Sequence, residues 1–178
     1  MFKLIALVLL AALVVVLIFA ATQSDTINVQ RTASIKAAPE RLFPLLSDFH
    51  GNSWGAWSPY ENKDPDMKRT LSGSPNGVGA VYEWQGDNNI GHGRMEITSV
   101  TVPTKVTIKL DFIKPIEAHN VAEFTLQPQA GATRVTWTMR GPATYLSKVM
   151  GVFINMDRMI GNDFEAGLAK LKVIAETH

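Results

Sequence analysis

The sequence predicts an α+β domain: a curved, seven-stranded antiparallel sheet wrapped on one long C-terminal helix and preceded by an apolar N-terminal helix. Three observations predict it. Residues 4–21 carry no polar side chain, residues 26–140 hold seven alternating stretches separated by turn residues, and residues 145–177 carry apolar side chains at steps of three and four without a proline. Alternation marks strands buried on one face, and the three-to-four step marks an amphipathic helix.

The first element is "LIALVLLAALVVVLIFAA", 18 residues. As a helix it spans about 27 Å, close to the roughly 30 Å hydrocarbon core of a bilayer. A cleaved secretory signal is the competing reading. Its apolar run is shorter, about 7–15 residues, and ends in a small-x-small site. Here a cut after Ala21 leaves Phe19 at the third position before it, and a cut after Ala20 leaves Ile18. An uncleaved anchor over residues 1–22 is therefore expected, followed by a domain over 26–178. Lys3 precedes the span, whereas Arg31, Lys36 and Arg41 follow it. Those three fall inside the domain, and large domains translocate largely regardless of charge. The expectation is a single-pass protein of the bacterial inner membrane with its C-terminal domain in the periplasm.

Composition excludes several classes. The 178 residues contain no cysteine, which removes disulfides, thiolate zinc sites and cysteine nucleophiles. A formal charge of +1 leaves no footprint for nucleic acid.

Residues 26–37 form the first strand, with Ile27, Val29, Ala33 and Ile35 on one face. In "APERLFPLLSDF", Pro39 suits a first helical turn, Leu42, Phe43, Leu45 and Leu46 supply an apolar side, and Pro44 is expected to end or kink the helix. "GNSWGAWSPYENKDP" follows as a short second helix or an irregular loop. It places Trp54, Trp57 and Tyr60 among turn formers such as Asn52. Six more strands come next. They put Val78, Ala80, Tyr82 and Trp84 on one face, then Met95 and Ile97, then Val106, Ile108, Leu110 and Phe112. Ala122, Phe124 and Leu126 follow, and last Val135, Trp137 and Met139. Short connections imply an antiparallel sheet with one wet face. The terminal helix carries Val149, Phe153, Met156, Ile160, Phe164, Leu168, Leu171 and Ile174 on one stripe, with Gly151 and Gly161 as points where it could bend. It is the only element large enough to cover the sheet.

The order β-α-α-β6-α, with "IKAAPERLFPLLSDF", "WGAWSPYENKDPDM", "GVGAVYEWQG", "GHGRMEI" and "MDRMIGNDFEAGLAKLK", resembles the START/Bet v 1-like superfamily. This group is also called SRPBCC, or polyketide cyclase/dehydrase and lipid transport proteins. The resemblance covers residues 26–175 and implies a helix-grip fold. It implies little about activity, because the superfamily hosts carriers, receptors, cyclases and chaperone cofactors.

The expected function is binding of an apolar small molecule or lipid between sheet and helix, with transport or sensing as its use and no covalent chemistry. Trp57 and Tyr60 would touch ligand or guard its path. Trp84, Met95, Phe112, Phe124, Trp137 and Met139 would line the space from the sheet, and Phe153 and Met156 from the helix. Aromatic and methionine side chains suit an adaptable apolar lining. The bland alternative is that the same residues fill a core, with Trp54, Trp57 and Tyr60 as its plug. Two other functions compete: a cyclase or dehydratase in the same cavity, and a protein-interaction module with a filled core. Catalytic candidates are few. Glu83, Glu96, Asp111, Glu123, Arg94, Arg134 and Arg140 fall on the wet face, and there is no GxSxG. His50, His92, His119 and His178 occupy four separate segments, so neither a metal nor a cofactor is expected. His92, between two glycines, suits a bulge or hairpin. The "GxGxM" of 91–95 has no helix after it to hold a phosphate.

Overall fold

The computed structural model describes residues 1–51 and 53–177, so Asn52 and His178 lie outside the described residues. An apolar helix α1 (Phe2–Ala21) leads into β1 (Thr26–Ile35), α2 (Pro39–Ser47) and α3 (Ser53–Trp57). Strands β2 (Lys68–Gly73), β3 (Ala80–Gln85), β4 (His92–Thr101), β5 (Lys105–Lys114), β6 (Ala118–Gln129) and β7 (Ala132–Pro142) follow. Helices α4 (Tyr145–Phe153) and α5 (Met156–Thr177) end the chain.

All seven strands join one sheet in the order β1-β7-β6-β5-β4-β3-β2, and every pairing is antiparallel. The chain thus meanders from β2 to β7, and β1 returns to pair with β7. The alternation in each strand sends its apolar members to one face. There Val29, Ile35, Ala80, Ile97, Val106, Ile108, Phe124, Leu126 and Val135 are buried, and α5 contributes Phe164, Leu168, Leu171 and Ala175. At β4 the register shifts between His92 and Gly93, the bulge expected between those glycines.

Three local expectations need correction. Val78 falls in the turn before β3 and is exposed, so the inward face of that strand begins at Ala80. Pro44 does not end helix α2, which runs on through it to Ser47. Pro44 can make no bond to the Glu40 carbonyl, but Glu40 is exposed to water, while Leu42 and Leu46 are fully buried and hold the helix in place. The C-terminal stripe is two helices. The break falls at Ile154–Asn155, at neither glycine. Ile154 is extended, and Asn155 restarts the helix by accepting the Arg158 backbone N–H on Oδ1 at 2.8 Å.

One clamp fixes α5 across β1. Arg31 follows the inward phase of Val29 and Ala33. Its guanidinium donates to Asp157 Oδ1 and Oδ2 at 3.1 and 3.0 Å and to Glu165 Oε1 at 2.7 Å. Gly161 makes room for it, since a Cβ there would stand 1.9 Å from Arg31 Nη2. The hydrogen bonds from Arg31 hold the Asp157 carboxyl below its ordinary value of 3.8. A lowered folded-state pKa contributes stability above 3.8 and loses it as pH falls through the lowered value. Asp157→Asn should therefore melt below the parent at neutral pH, and the two curves should converge in strong acid. The neutral-pH gap will be small, because water screens so exposed a pair. Thermal melts from pH 2 to 7 check this.

Candidate functional site

Inward-pointing aromatics meet at the centre of the sheet's concave face. Trp137 stacks on Phe164 of α5 with ring centroids 3.9 Å apart, and packs on Phe124 and Trp57 at 5.0 and 5.4 Å. Trp57 is wholly buried, and its indole N–H donates to the Leu45 carbonyl at 2.8 Å. Trp54 lies edge-on to Trp57 and Phe124. The "SWGAW" of Ser53–Trp57 becomes α3, whose two tryptophans fill the middle of the grip. Tyr60 is half-buried beside α5, beneath the Lys63 ammonium at 5.1 Å. Burial, and secondarily the charge of Asp163, pushes its hydroxyl pKa well above the usual phenol value.

Beyond this cluster, at the end of the sheet away from α2, the lining loosens. Trp84 and Phe112 pack edge to face at 5.9 Å, and Gly93 has no Cβ because one would lie 2.2 Å from the Trp84 ring. Met95 and Met139 are buried, while Leu110 and Phe112 are only half-buried. Helix α5 lies along β1 and leaves this quarter less covered. Met156 is half-buried at the start of α5. Phe153 departs from the expected convergence: it stands on α4, past the break, and is 73% exposed.

Asn120 is buried on the inner face of β6 at this end, opposite Gly141, and Trp137 is buried on β7 opposite Phe124, four residues along in the central cluster; among the described residues Asn120 Oδ1 and Trp137 Nε1 make no hydrogen bond. The Asn120 amide lies over Gly141, where a Cβ would come within 1.7 Å of Oδ1. A buried polar atom without a partner costs about 1–3 kcal/mol, so each calls for an explanation. Asn120 was legible in principle, because it shares the two-residue step of Ala122, Phe124 and Leu126.

A third polar group closes the β2–β3 edge. The Tyr82 hydroxyl donates to Glu61 Oε1, and Arg69 Nε donates to Glu61 Oε2 at 2.6 Å. Burial first, then the bond to Glu61, raises the Tyr82 pKa well above the phenol range. On the outer face Arg94 pairs with Glu96 at 2.8 Å, Lys105 with Glu123 at 2.7 Å and His119 with Asp111 at 2.8 Å. These charges stand away from the interior. Among the described residues, two of the open hollows lie on the surface. One, of about 470 Å³, is lined by Gly151–Met156 at the α4–α5 turn, and the other, of about 500 Å³, lies on the polar outer face around Thr32, Thr125 and Arg134.

The sequence matches the family described as polyketide cyclase/dehydrase and lipid transport over residues 26–176. The chain belongs to this family. No curated protein matches it. Among solved structures, the Aha1 dimer from Colwellia psychrerythraea is 16% identical with a TM-score of 0.60, covering 85% of this chain and 97% of that one. Major latex-like protein 151 from Panax ginseng is 12% identical with a TM-score of 0.60, covering 86% and 99%. Protein Ms6760 from Mycobacterium smegmatis is 18% identical with a TM-score of 0.59, covering 88% and 96%. At these identities the likeness is one of fold, the Bet v 1-like helix grip, and membership of the family is consistent with apolar ligand binding in its cavity. Helix α1 is long and apolar enough to cross a membrane, a test that a signal sequence also passes.

Proposed function

We propose that this domain binds an apolar small molecule or lipid between the sheet and α5, at the end where Leu110, Phe112 and Met156 are only half-buried. The observation that carries the reading is the unpartnered buried atom at that end, Asn120 Oδ1, which stands opposite Leu110 of β5. As an acceptor it suits a ligand with a hydroxyl or amide N–H end on an apolar body. Trp57 and Phe124 would form the floor of this space, Tyr60, Trp84 and Met95 its walls. The site serves carriage or sensing of the ligand, with α1 holding the domain to the bacterial inner membrane on its periplasmic side.

Two measurements test this. Mass spectrometry of the detergent-extracted full chain should find a co-purifying apolar compound. The purified protein should also bind a fluorescent fatty acid, and Asn120→Leu should weaken that binding about five- to tenfold, the worth of one hydrogen bond. Absence of both the compound and probe binding overturns the reading.

The tight central packing supports one rival. Trp137 stacked on Phe164 and the full burial of Trp57 suit a filled core, in which case the domain acts through its surface as a protein-interaction module. The same probe titration separates the two.

A further inference from the structure

Helix α4 has nine residues, seven of them apolar counting Tyr145 and Gly151, and buries none of them in the domain. Leu146, Phe153 and Ile154 are exposed, and Met159 continues the patch onto α5. From 145 to 156 the only charged residue is Lys148. A nine-residue helix is marginal by itself in water, and an exposed apolar patch of this kind marks an interaction surface.

The element against which α4 packs is α1. The Tyr145 hydroxyl donates to the Leu17 carbonyl at 2.9 Å. Leu17 lies four residues before the end of α1, so about 6 Å inside it. Two contacts bracket that depth from the polar side: the Lys148 ammonium pairs with Asp25, and the Ala143 N–H donates to the Asp25 carbonyl at 2.8 Å. A tyrosine one turn inside a span, with a Lys–Asp pair just outside it, is the arrangement expected at a membrane–water boundary.

We propose that α4 and the α4–α5 turn insert into the lipid–water interface of the bilayer that α1 crosses, with Leu146, Phe153 and Ile154 among the acyl chains. The inference rests on α1 being a membrane span. It places the loosely covered end of the grip, where α5 begins, against the lipid rather than toward the aqueous phase.

The absence of native cysteine makes the test direct. Full-length protein in phosphatidylcholine–phosphatidylglycerol nanodiscs would carry one cysteine at a time, as Phe153→Cys, Leu146→Cys, Val14→Cys or Lys170→Cys, labelled with an environment-sensitive dye. All four side chains are exposed, so folding should survive, and circular dichroism checks it. Dye at 153 and 146 should lose most of its emission to lipids spin-labelled near the headgroup, and should resist aqueous iodide. Dye at 170 should respond in the opposite sense, and dye at 14 should be quenched by labels deep in the acyl chains. Quenching at 14 with iodide-accessible dye at 153 overturns the inference and leaves the anchor standing. Shielding of 153 from both quenchers overturns it in favour of a protein contact. Failure of lipid quenching at 14 removes the span and the inference with it.

Discussion

Phe164→Asp should leave the domain unfolded, whereas Ala169→Asp, the same charge five residues along α5, should leave it folded. Phe164 is 2% exposed and stacked on Trp137, while Ala169 faces water. Losing a buried phenylalanine costs about 3–5 kcal/mol. Burying an unpaired carboxylate adds several more, or forces it to stay protonated. The sum is comparable to the whole stability of a domain, about 5–15 kcal/mol. Position 169 loses only a little helix propensity. Circular dichroism and thermal melts of the two variants give the readout. Similar melting temperatures would mean that α5 does not press Phe164 into the sheet.

That contrast was legible because period decided it. The two-residue step placed Val106, Ile108, Phe124, Leu126, Val135 and Trp137 inside, and the three-to-four step did the same for Phe164, Leu168 and Leu171. Period was less useful where a polar residue shares the buried phase. Arg31 and Asn120 sit among apolar neighbours at even spacing, and an eye that gathers only apolar residues passes over both. Arg31 is satisfied by Asp157 and Glu165 on α5, partners more than 120 positions away that no local pattern reveals. Among the described residues, Asn120 Oδ1 has no hydrogen-bond partner, so no contact in the fold accounts for its place in the buried phase. The break between α4 and α5 was hidden for a different reason. Val149, Phe153, Met156 and Ile160 keep helical spacing across it, so the stripe reads as continuous. The interruption comes from Asn155 capping a new helix, a role that asparagine's side chain permits but its presence does not announce. Phe153 then lies on a helix whose neighbour is α1 rather than the sheet, which is why it faces outward.

Trp57→Ala should destabilise the domain by about 3–5 kcal/mol, the range for deleting a large buried aromatic. The indole contacts Trp54, Phe124 and Trp137, and its N–H satisfies the Leu45 carbonyl of α2. Truncation opens a void among rings that hold one another edge to face, and strands that carbonyl as well. Trp57→Phe should recover most of the packing but not the hydrogen bond, and so fall between. Tyr60→Ala should cost less, about 1–2 kcal/mol, because a half-buried ring removes less apolar area from water. The two positions should also part company in binding. Tyr60 flanks α5 beneath Lys63, which is itself tied to Asp163 at 2.6 Å, so its loss frees the loop that would wall a ligand. Affinity for a fluorescent fatty acid should therefore change in Tyr60→Ala at nearly parental stability, and in Trp57→Ala only together with global loosening. Denaturant melts beside probe titrations of the three variants separate these effects. Equal destabilisation at both positions, with no probe bound by the parent, would make Tyr60 part of a solid core and leave the grip without room for a guest.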